Sequence, residues 1–189
     1  MKIRTIWMVS AGALALAACS KQEATTATNT SVIAADTNNQ MAPVEAPASG
    51  GQAFANTAAA SDAFEIETSR AALATSQSAA VKKFAQQMID AHTDSTAKLK
   101  AASAAATPVI TPAPALNAEQ QTMLDQLKAK TGSDFDQAYI AGQTAGHQQT
   151  LDMLKAYSTT GEVASLKTFA TQMVPIVTAH LNMAKGLKP

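Results

Sequence analysis

The chain is poor in the residues that hold many small domains together. Its 189 residues include one cysteine, so no disulfide can form within the chain, and aromatic residues make up 4% of the sequence. The single tryptophan, Trp7, lies close to the N-terminus. A core must therefore be built from alanine, leucine, valine, isoleucine and methionine, a composition that favours closely packed helices over sheets.

Concentrated charge is also absent. Lysine and arginine number 14, aspartate and glutamate number 14, and no basic run is longer than Lys82-Lys83. Nucleic-acid binding requires a concentrated basic face, so the sequence predicts that the protein does not bind nucleic acid. There is no glycine-rich phosphate loop, no cysteine nucleophile and no Ser/His/Asp order that stands out. The sequence therefore favours a protein without catalytic activity.

The N-terminus carries the longest apolar run. After a basic start, thirteen mostly apolar residues run from Ile6 to Ala18; as a helix they reach about 20 Å, too short for a hydrocarbon core of about 30 Å. We interpret residues 1–18 as a signal peptide. The stretch LAAC, which ends at Cys19, resembles a bacterial lipobox, in which cleavage leaves a lipidated N-terminal cysteine. The alternative is an incidental cysteine beside an ordinary cleavage site.

Lipidation of Cys19 would attach the protein to a membrane. Two or three acyl chains anchor a protein firmly, since each buried CH₂ contributes about 0.8 kcal/mol. Ser20 follows the cysteine, whereas aspartate at that position is the usual signal for retention of Gram-negative lipoproteins in the inner membrane. We therefore expect an exported protein on the periplasmic side of the outer membrane, with the inner membrane as the alternative.

Two parts of the remaining chain differ in hydrophobic pattern. Residues 19–52 have no hydrophobic period and end in proline and glycine, so they predict a flexible tether. In residues 53–187, apolar residues recur at helical spacing, interrupted by a loop with three prolines. This pattern predicts an all-α antiparallel four-helix bundle with one extra short helix. Residues suited to cap helices precede three of the segments: Ser78, Asn117 and Ser133.

Histidine occurs three times, and each histidine falls on the apolar stripe of a different long helix. On a wheel of about 100° per residue, His92 continues the stripe of the second helix, His147 that of the fourth and His180 that of the fifth. The first helix has no histidine, but Glu65 falls on its inward face and Asp62 lies near that face. The sequence therefore predicts an inward cluster of one glutamate and three histidines.

Such a cluster suits two different roles. Imidazole and carboxylate together suit zinc, iron, manganese or copper, and helical bundles build metal sites from facing helices. The alternative is three buried histidines that satisfy their hydrogen bonds, with Glu65 or Asp62 as partners, and that fix the register of the bundle. Met88 and Met183 each lie within one turn of a histidine. A thioether beside imidazole suits copper(I), although methionine also fills gaps in a core poor in aromatics.

Two glycines lie close to one of these histidines. Gly142 and Gly146 precede His147 in the fourth helix, and glycine inside a helix costs up to about 1 kcal/mol relative to alanine. The pair therefore predicts that a neighbouring helix or side chain approaches closely at this point.

Three blocks of the chain resemble the bacterial family known as domain of unknown function 4142. The blocks are FEIETSRAALATSQSAAVKKFAQQMIDAHTDSTAKL, GSDFDQAYIAGQTAGHQQTLDML and LKTFATQMVPIVTAHLNMAKGL. The resemblance covers roughly residues 54 to 187 and implies a ferritin-like fold in a secreted or outer-membrane protein; it implies no reaction. The positions that match the family pattern are Glu65, Met88, His92, Phe135, Asp136, Tyr139, His147, Pro175, His180 and Leu181.

These observations lead to two expectations about function. The first is a membrane-anchored periplasmic lipoprotein that acts as a non-catalytic binding or structural module of the envelope. The alternative is a metal-binding or redox protein, with a stress-protective role, that holds a transition metal at Glu65, His92, His147 and His180. The membrane, reached through the N-terminal lipid, is the partner that the sequence predicts. Convergence of the imidazoles in the folded protein would favour the alternative.

Overall fold

A computed structural model describes residues 50–188 of the chain. The expected signal peptide, the lipidation site at Cys19 and most of the expected tether lie outside the described residues. Across residues 50–188, none of the helices combines the length and the apolar character needed to span a bilayer.

Five helices and no strand make up the described part of the chain. They are α1 (Gly50–Thr75), α2 (Ala79–Ala104), α3 (Ala118–Lys128), α4 (Gly132–Thr160) and α5 (Ala164–Gly186). The predicted all-α class, with four long helices and one short helix, is confirmed. Helix α1 begins at Gly50 and so includes residues 50–52, which the sequence pattern assigns to the tether.

The first turn of α1 is packed against the rest of the bundle. Gly51 is buried, and a Cβ atom added there would lie 2.6 Å from Val163 Cγ2 and 3.0 Å from Ile110 Cδ1. The rings of Phe54 and Tyr157 stack, with centroids 3.8 Å apart. The helix starts before the apolar pattern does because a residue without a side chain lets two other segments close over it.

Short local motifs set the ends of several helices. The Ser78 side chain accepts a hydrogen bond from the backbone in the first turn of α2, and Asn117 and Gln120 form a capping box at the start of α3, as predicted. The prediction of Ser133 as a cap was wrong, because α4 already begins at Gly132. That glycine has a φ of +57°, a conformation that glycine adopts without steric cost, and it makes the turn between α3 and α4 one residue earlier.

Hydrogen bonds between helices establish how α1 and α4 run. Ser61 pairs with Thr150 at 2.8 Å and Ser69 pairs with Tyr139 at 2.9 Å. Residue numbers therefore rise along α1 as they fall along α4, and the two helices are antiparallel.

The remaining helices complete a ring with one crossover. Short links join α1 to α2 and α4 to α5 as hairpins, α1 packs against α4, and α2 packs against α5. Since α2 and α4 are both antiparallel to α1, they run in the same direction. The chain between them, residues 105–131, must travel the length of the bundle and contains α3, which lies against α1 and α4. One long crossover of this kind is the ferritin-like topology.

The core consists of two apolar clusters with a polar layer between them along the helices. The first cluster contains Phe54, Ala55, Ala58, Ala59, Leu99, Ala106, Ile110, Leu151, Leu154, Leu166, Phe169, Ala170, Met173, Val177 and Leu181. The second contains Ala72, Val81, Phe84, Ala85, Met88, Leu127, Phe135, Tyr139 and Ala184. The buried residues between the clusters, which we call the histidine layer, are Asp62, Glu65, Thr68, His92, Ser95, Gln143, His147 and His180.

The predicted buried stripes are confirmed in α2 and need correction in α4 and α5. In α4 the sequence pattern predicts Ile140 and Thr144, whereas Tyr139 and Gln143 are the buried residues. The polar Gln143 occupies a core position and interrupts the hydrophobic pattern. The pattern therefore favours positions one residue later, at Ile140 and Thr144.

The correction in α5 concerns which neighbours of His180 face inward. Spacings of three and four residues run through His180 in either order, and the sequence pattern predicts the set that includes Ile176 and Met183. The structure buries Val177 and Ala184 instead, while Met183 is 39% exposed. His180 belongs to both sets, so either set predicts that it is buried.

Candidate metal centre

Three long helices bring their histidines to the same point of the histidine layer. The ring centroids of His92 and His147 are 5.5 Å apart, those of His147 and His180 5.5 Å, and those of His92 and His180 5.7 Å. One nitrogen from each ring lies within 4.8 Å of the corresponding nitrogens of the other two. The rings meet at steep angles rather than stacked, so the cluster is a convergence of ring edges.

A carboxylate on α1 orients the first histidine. Asp62 Oδ1 lies 2.8 Å from His92 Nδ1, and both side chains are buried. Because a carboxylate oxygen accepts, Nδ1 carries a proton and donates it to Asp62. Thr96 donates to the second carboxylate oxygen at 3.2 Å. This contact fixes the ring and leaves His92 Nε2 as the other functional atom, with no hydrogen-bond partner among the described residues.

A backbone carbonyl orients the second histidine in the same way. His147 Nδ1 lies 2.8 Å from the carbonyl oxygen of Gln143, one turn earlier in α4. A carbonyl can only accept, so Nδ1 is again protonated, and Nε2 is the nitrogen with a free lone pair. His147 Nε2 is buried and has no partner within residues 50–188.

His180 completes the set from α5. Its Nδ1 is buried and has no hydrogen-bond partner in the described part of the chain, while the residue as a whole is 8% exposed. Each histidine therefore has one buried nitrogen without a partner. A buried polar atom of this kind costs about 1–3 kcal/mol, and three of them in one layer call for a common explanation.

Burial keeps two of the three rings uncharged at neutral pH. Burial, reinforced by the neighbouring charge of His92, lowers the pKa of His147 to about 3 and that of His180 to about 4. His92 differs: burial acts to lower its pKa, but the hydrogen bond from its ring to Asp62 and the charges of Glu65 and Asp62 outweigh burial and leave the pKa raised. An uncharged imidazole is the form that ligates metal ions.

Glu65 lies at the edge of the cluster without bonding to a histidine. Its Oε1 is 3.7 Å from His147 Nδ1, beyond hydrogen-bond distance, and its other oxygen accepts a short hydrogen bond from the Gln143 amide. Burial raises the pKa of Glu65 to about 7, against the opposing effects of His92 and Gln143. The group is therefore poised between the acid and the carboxylate at neutral pH.

Of the two glycines beside this carboxylate, one makes room for it. A Cβ atom at position 146 would lie 2.9 Å from Glu65 Oε1, whereas nothing lies within 4 Å of a Cβ atom at position 142. The prediction of a close neighbour is therefore confirmed for Gly146, and that neighbour is the Glu65 side chain. It was wrong for Gly142.

The two methionines that the sequence places near histidines have different positions. Met88 is fully buried in the second apolar cluster, among aromatic residues. Met183 is 39% exposed, so the prediction that it faces the histidines was wrong, because the buried face of α5 passes through Val177 and Ala184. The residue that sequence reasoning missed is Gln143. A polar residue one turn before His147 was the available signal.

The donor set fits a metal ion with modest movement. Nitrogens bound to one ion at about 2.0–2.1 Å lie about 3.5 Å apart in a trigonal arrangement, so ring nitrogens within 4.8 Å of one another need to close by about 1 Å. The Asp62–His92 contact is the outer-shell bond that metal-ligating histidines usually make. The unpartnered buried nitrogens of His147 and His180 supply lone pairs, and that of His92 supplies one once its proton leaves, because metal binding releases ligand protons.

Comparison with known proteins places the fold in a family. No curated protein gives a significant sequence match to this chain. A solved structure described as "CopM in the Cu(I)-bound form" is similar in fold, with a TM-score of 0.59 and 17% sequence identity over 72% of this chain and 93% of that chain. The model of the family Domain of unknown function (DUF4142) matches residues 36–187. With most of its length matched, the chain belongs to the DUF4142 family.

Proposed function

We propose that this protein binds a transition-metal ion through His92, His147 and His180 in the core of the bundle. The observation that carries the proposal is that one nitrogen from each ring lies within 4.8 Å of those of the other two, while each ring retains a buried nitrogen without a partner among the described residues. Histidines that served only to fix the register would leave these nitrogens unsatisfied, at a cost of about 1–3 kcal/mol each. A bound ion would take a lone pair from each of the three rings, with His92 releasing a proton as the ion binds.

Copper(I) is the first candidate, and zinc is the competitor. Imidazole ligands suit both ions. Moving a monovalent ion into an apolar core costs less than moving a divalent one. The similar fold of the protein described as CopM in the Cu(I)-bound form supports testing copper(I) first.

The function that follows is to hold a metal ion, without a catalytic step. The three rings lie between two apolar clusters, and the cavity of about 220 Å³ beside the layer is lined by Glu65 but by none of the three histidines, so a substrate has little room beside the ion. The side chains would bind the ion, and Asp62 and the Gln143 carbonyl would keep the rings in the tautomer that ligates.

Equilibrium binding to the full chain tests the proposal. The protein competes under reducing, anaerobic conditions with a coloured copper(I) chelator, and zinc is titrated in parallel. We expect a single copper(I) ion per chain, lost in the His92→Ala/His147→Ala/His180→Ala variant. Met183→Leu, which changes an exposed thioether, is the control and should bind as the parent does. Circular dichroism of each variant verifies that the helices remain.

Two outcomes would contradict the proposal. Binding of copper(I) that survives in the triple variant would place the ion elsewhere in the chain. Failure of the parent protein to bind either ion, when its helical content is intact, would leave the three histidines as structural residues. If the triple variant does not fold, His180→Ala alone serves, because its ring is the least enclosed of the three.

We also propose that the bundle is held at the periplasmic face of the outer membrane by a lipid on Cys19. The support is in the sequence: a short apolar leader followed by LAAC and Ser20. Cys19→Ser should move the protein from the membrane to the soluble fraction, and Ser20→Asp should shift it to inner-membrane fractions. Continued membrane association of the Cys19→Ser variant would contradict lipidation.

A further inference from the structure

A cavity opens beside the histidine layer between α1, α3 and α4. Its volume is about 220 Å³, and its lining includes Glu65, Gly146 and the start of α3. The Glu65 carboxylate reaches from this wall toward the histidines, because its Oε1 would lie 2.9 Å from a Cβ atom on Gly146 and lies 3.7 Å from His147 Nδ1. The cavity therefore ends at a group that borders the cluster.

The charges and soft donors of this cavity suit a cation. Its lining contains two carboxylate residues, Glu65 and Glu119, and no lysine or arginine. Negative charge in a cleft with low-dielectric walls raises the local concentration of cations. Two thioethers, those of Met123 and Met153, line the same cavity, and thioethers are ligands that copper(I) accepts readily.

The exposure of Met123 needs a reason of its own. Its side chain is 37% exposed, whereas most large apolar residues of the bundle are buried. Met123 belongs to α3, the helix in the crossover, and it lines the cavity. A methionine that is reachable from water and also faces a carboxylate-lined cavity is placed to meet an incoming ion first.

We propose that this cavity is the route by which a metal ion reaches the histidines, with Met123 as a transient thioether ligand and Glu119 as the charge that attracts the ion. The proposal rests on the metal-binding function proposed above and adds the path. The ion leaves its carrier for Met123, passes Met153 and the Glu65 carboxylate, and arrives at the imidazoles without any change of oxidation state. Occupancy at equilibrium is set by the histidines, and the rate of loading is set by the cavity.

Two other cavities are less suited to this role. A cavity of about 380 Å³ beside Gly142 has a mostly apolar lining and carries Lys130, whose charge repels cations. A second opening borders His92 and Met173 directly, but its volume is about 10 Å³, roughly the space of one water molecule. Met123 lines the two larger of these three cavities, but the one that also contains Glu65 and Glu119 combines room with favourable charge.

The test separates the rate of loading from the affinity. The full chain receives copper(I) from a weak coloured chelator, and the transfer is followed by stopped-flow absorbance. Met123→Leu should slow loading several-fold while the equilibrium affinity stays unchanged. Met183→Leu is the matched control, because it makes the same change at a methionine with nearly the same exposure, 39% against 37%. Met173→Leu probes the small opening beside His92 and should leave the rate unaffected.

A second pair of variants tests the attraction by charge. Glu119→Gln should slow loading by about tenfold at low ionic strength and by less at high salt. Glu162→Gln makes the same chemical change at an exposed position in the link between α4 and α5 and should have no such effect. Neither residue belongs to the histidine layer, so the folded domain should persist in both variants.

The outcomes are distinct from those that test the metal site itself. If the parent binds copper(I) and the Met123→Leu and Met183→Leu variants load equally fast, the route is wrong while the metal site stands. If Met123→Leu lowers rate and affinity together, Met123 is a permanent ligand and the proposal of a transient one is overturned. If Met173→Leu alone slows loading, the ion enters beside His92. Absence of any binding by the parent overturns both proposals.

Discussion

The histidine layer contains two pairs of a carboxylate and a histidine that behave in opposite ways. Asp62 and His92 are in hydrogen-bond contact at 2.8 Å, and the pKa of His92 is raised. Glu65 and His147 are 3.7 Å apart, the pKa of Glu65 is raised to about 7, and that of His147 is lowered to about 3. The first pair favours the charged form of its histidine, whereas in the second pair both groups are shifted toward their neutral forms.

Geometry explains this difference better than burial does, because all four side chains are buried. His92 directs its Nδ1 proton at a carboxylate, but His147 directs the corresponding proton at the Gln143 carbonyl. Glu65 then receives a hydrogen bond from the Gln143 amide instead of from a histidine. Gln143 therefore keeps the second pair apart, because its backbone carbonyl bonds to His147 and its side-chain amide bonds to Glu65. A buried charge without a direct partner is costly, and both groups are driven toward their neutral forms.

Removal of Asp62 should have the largest effect. Asp62→Ala leaves a buried His92 without its partner, and breaking a buried pair costs about 3–5 kcal/mol. Urea denaturation of the metal-free protein measures this loss. Asp62→Asn keeps an acceptor for the ring, and it should retain more stability while lowering metal affinity by about 10–100-fold. Equal stability of Asp62→Ala and the parent would mean that the first pair is no stronger than the second.

Neutralisation of Glu65 should stabilise the protein at alkaline pH. The pKa of this group is raised from 4.5 to about 7 in the folded state, so between these values the folded protein binds a proton that the unfolded chain does not, and stability is lost as pH rises. Glu65→Gln should therefore increase the free energy of unfolding at pH 8 by about 1–3 kcal/mol. At pH 4 the variant and the parent should match. A loss of stability at pH 8 would show that the carboxylate pairs with a histidine after all.

Acidification should destabilise the metal-free protein. His147 and His180 have lowered pKa values in the folded protein, about 3 and about 4. Between pH 6.5 and 4.5 these two residues therefore bind protons in the unfolded chain but not in the folded protein. Glu65 contributes with the opposite sign over the same range. The net difference of at most one proton predicts a loss of up to about 1.4 kcal/mol per pH unit; His180, the least enclosed ring, contributes less than a full proton.

Urea denaturation at several pH values, with a chelator present, measures this slope. His147→Gln should flatten it, and Glu65→Gln should steepen it, because each variant removes one of the two opposing groups. A slope that does not respond to His147→Gln would contradict the assignment of the lowered pKa to that ring.

The two glycines of α4 should give the smallest and clearest contrast. Gly142→Ala adds a methyl group into open space and should stabilise the helix by about 0.5–1 kcal/mol. Gly146→Ala places a methyl group 2.9 Å from Glu65 Oε1, and it should destabilise by about 1 kcal/mol or more, since overpacking outweighs the gain in helix propensity. Thermal unfolding of both variants measures the difference. A stabilising Gly146→Ala would show that Glu65 moves aside at little cost.

Much of the fold follows from the sequence because the helical period is clear in α2, where the predicted inward positions are the buried ones. The spacing of Val81, Phe84 and Met88 alone predicts that His92 faces inward, and all four residues are buried. The helical period was less decisive in α5, where two sets of spacings pass through His180 and only tertiary packing selects one of them. The helical period predicts the buried face of a helix to within one residue. That precision is enough to predict that His180 is buried, but it is not enough to predict whether Met183 faces inward.

The hydrogen-bond contacts within the site could not be predicted from the hydrophobic pattern of the sequence. Nothing in the spacing of Asp62 and Glu65 says that the former bonds to His92 and the latter to Gln143, because those contacts depend on the axial register between helices. The cavity beside Gly146 was hidden for a similar reason. It needs α3, which the crossover carries onto α1 and α4, and the sequence predicts the existence of that helix but not where it lies.

The buried first turn of α1 determines how the domain is presented to whatever precedes it. Gly51 is enclosed by Val163, from the link between α4 and α5, and by Ile110, from the crossover. The polypeptide therefore joins the bundle at one fixed corner, beside the link between α4 and α5, rather than through a loose end. A fragment made for biophysical study should begin before Gly50, because one that starts at Phe54 would lack Gly51 and uncover Val163 and Ile110.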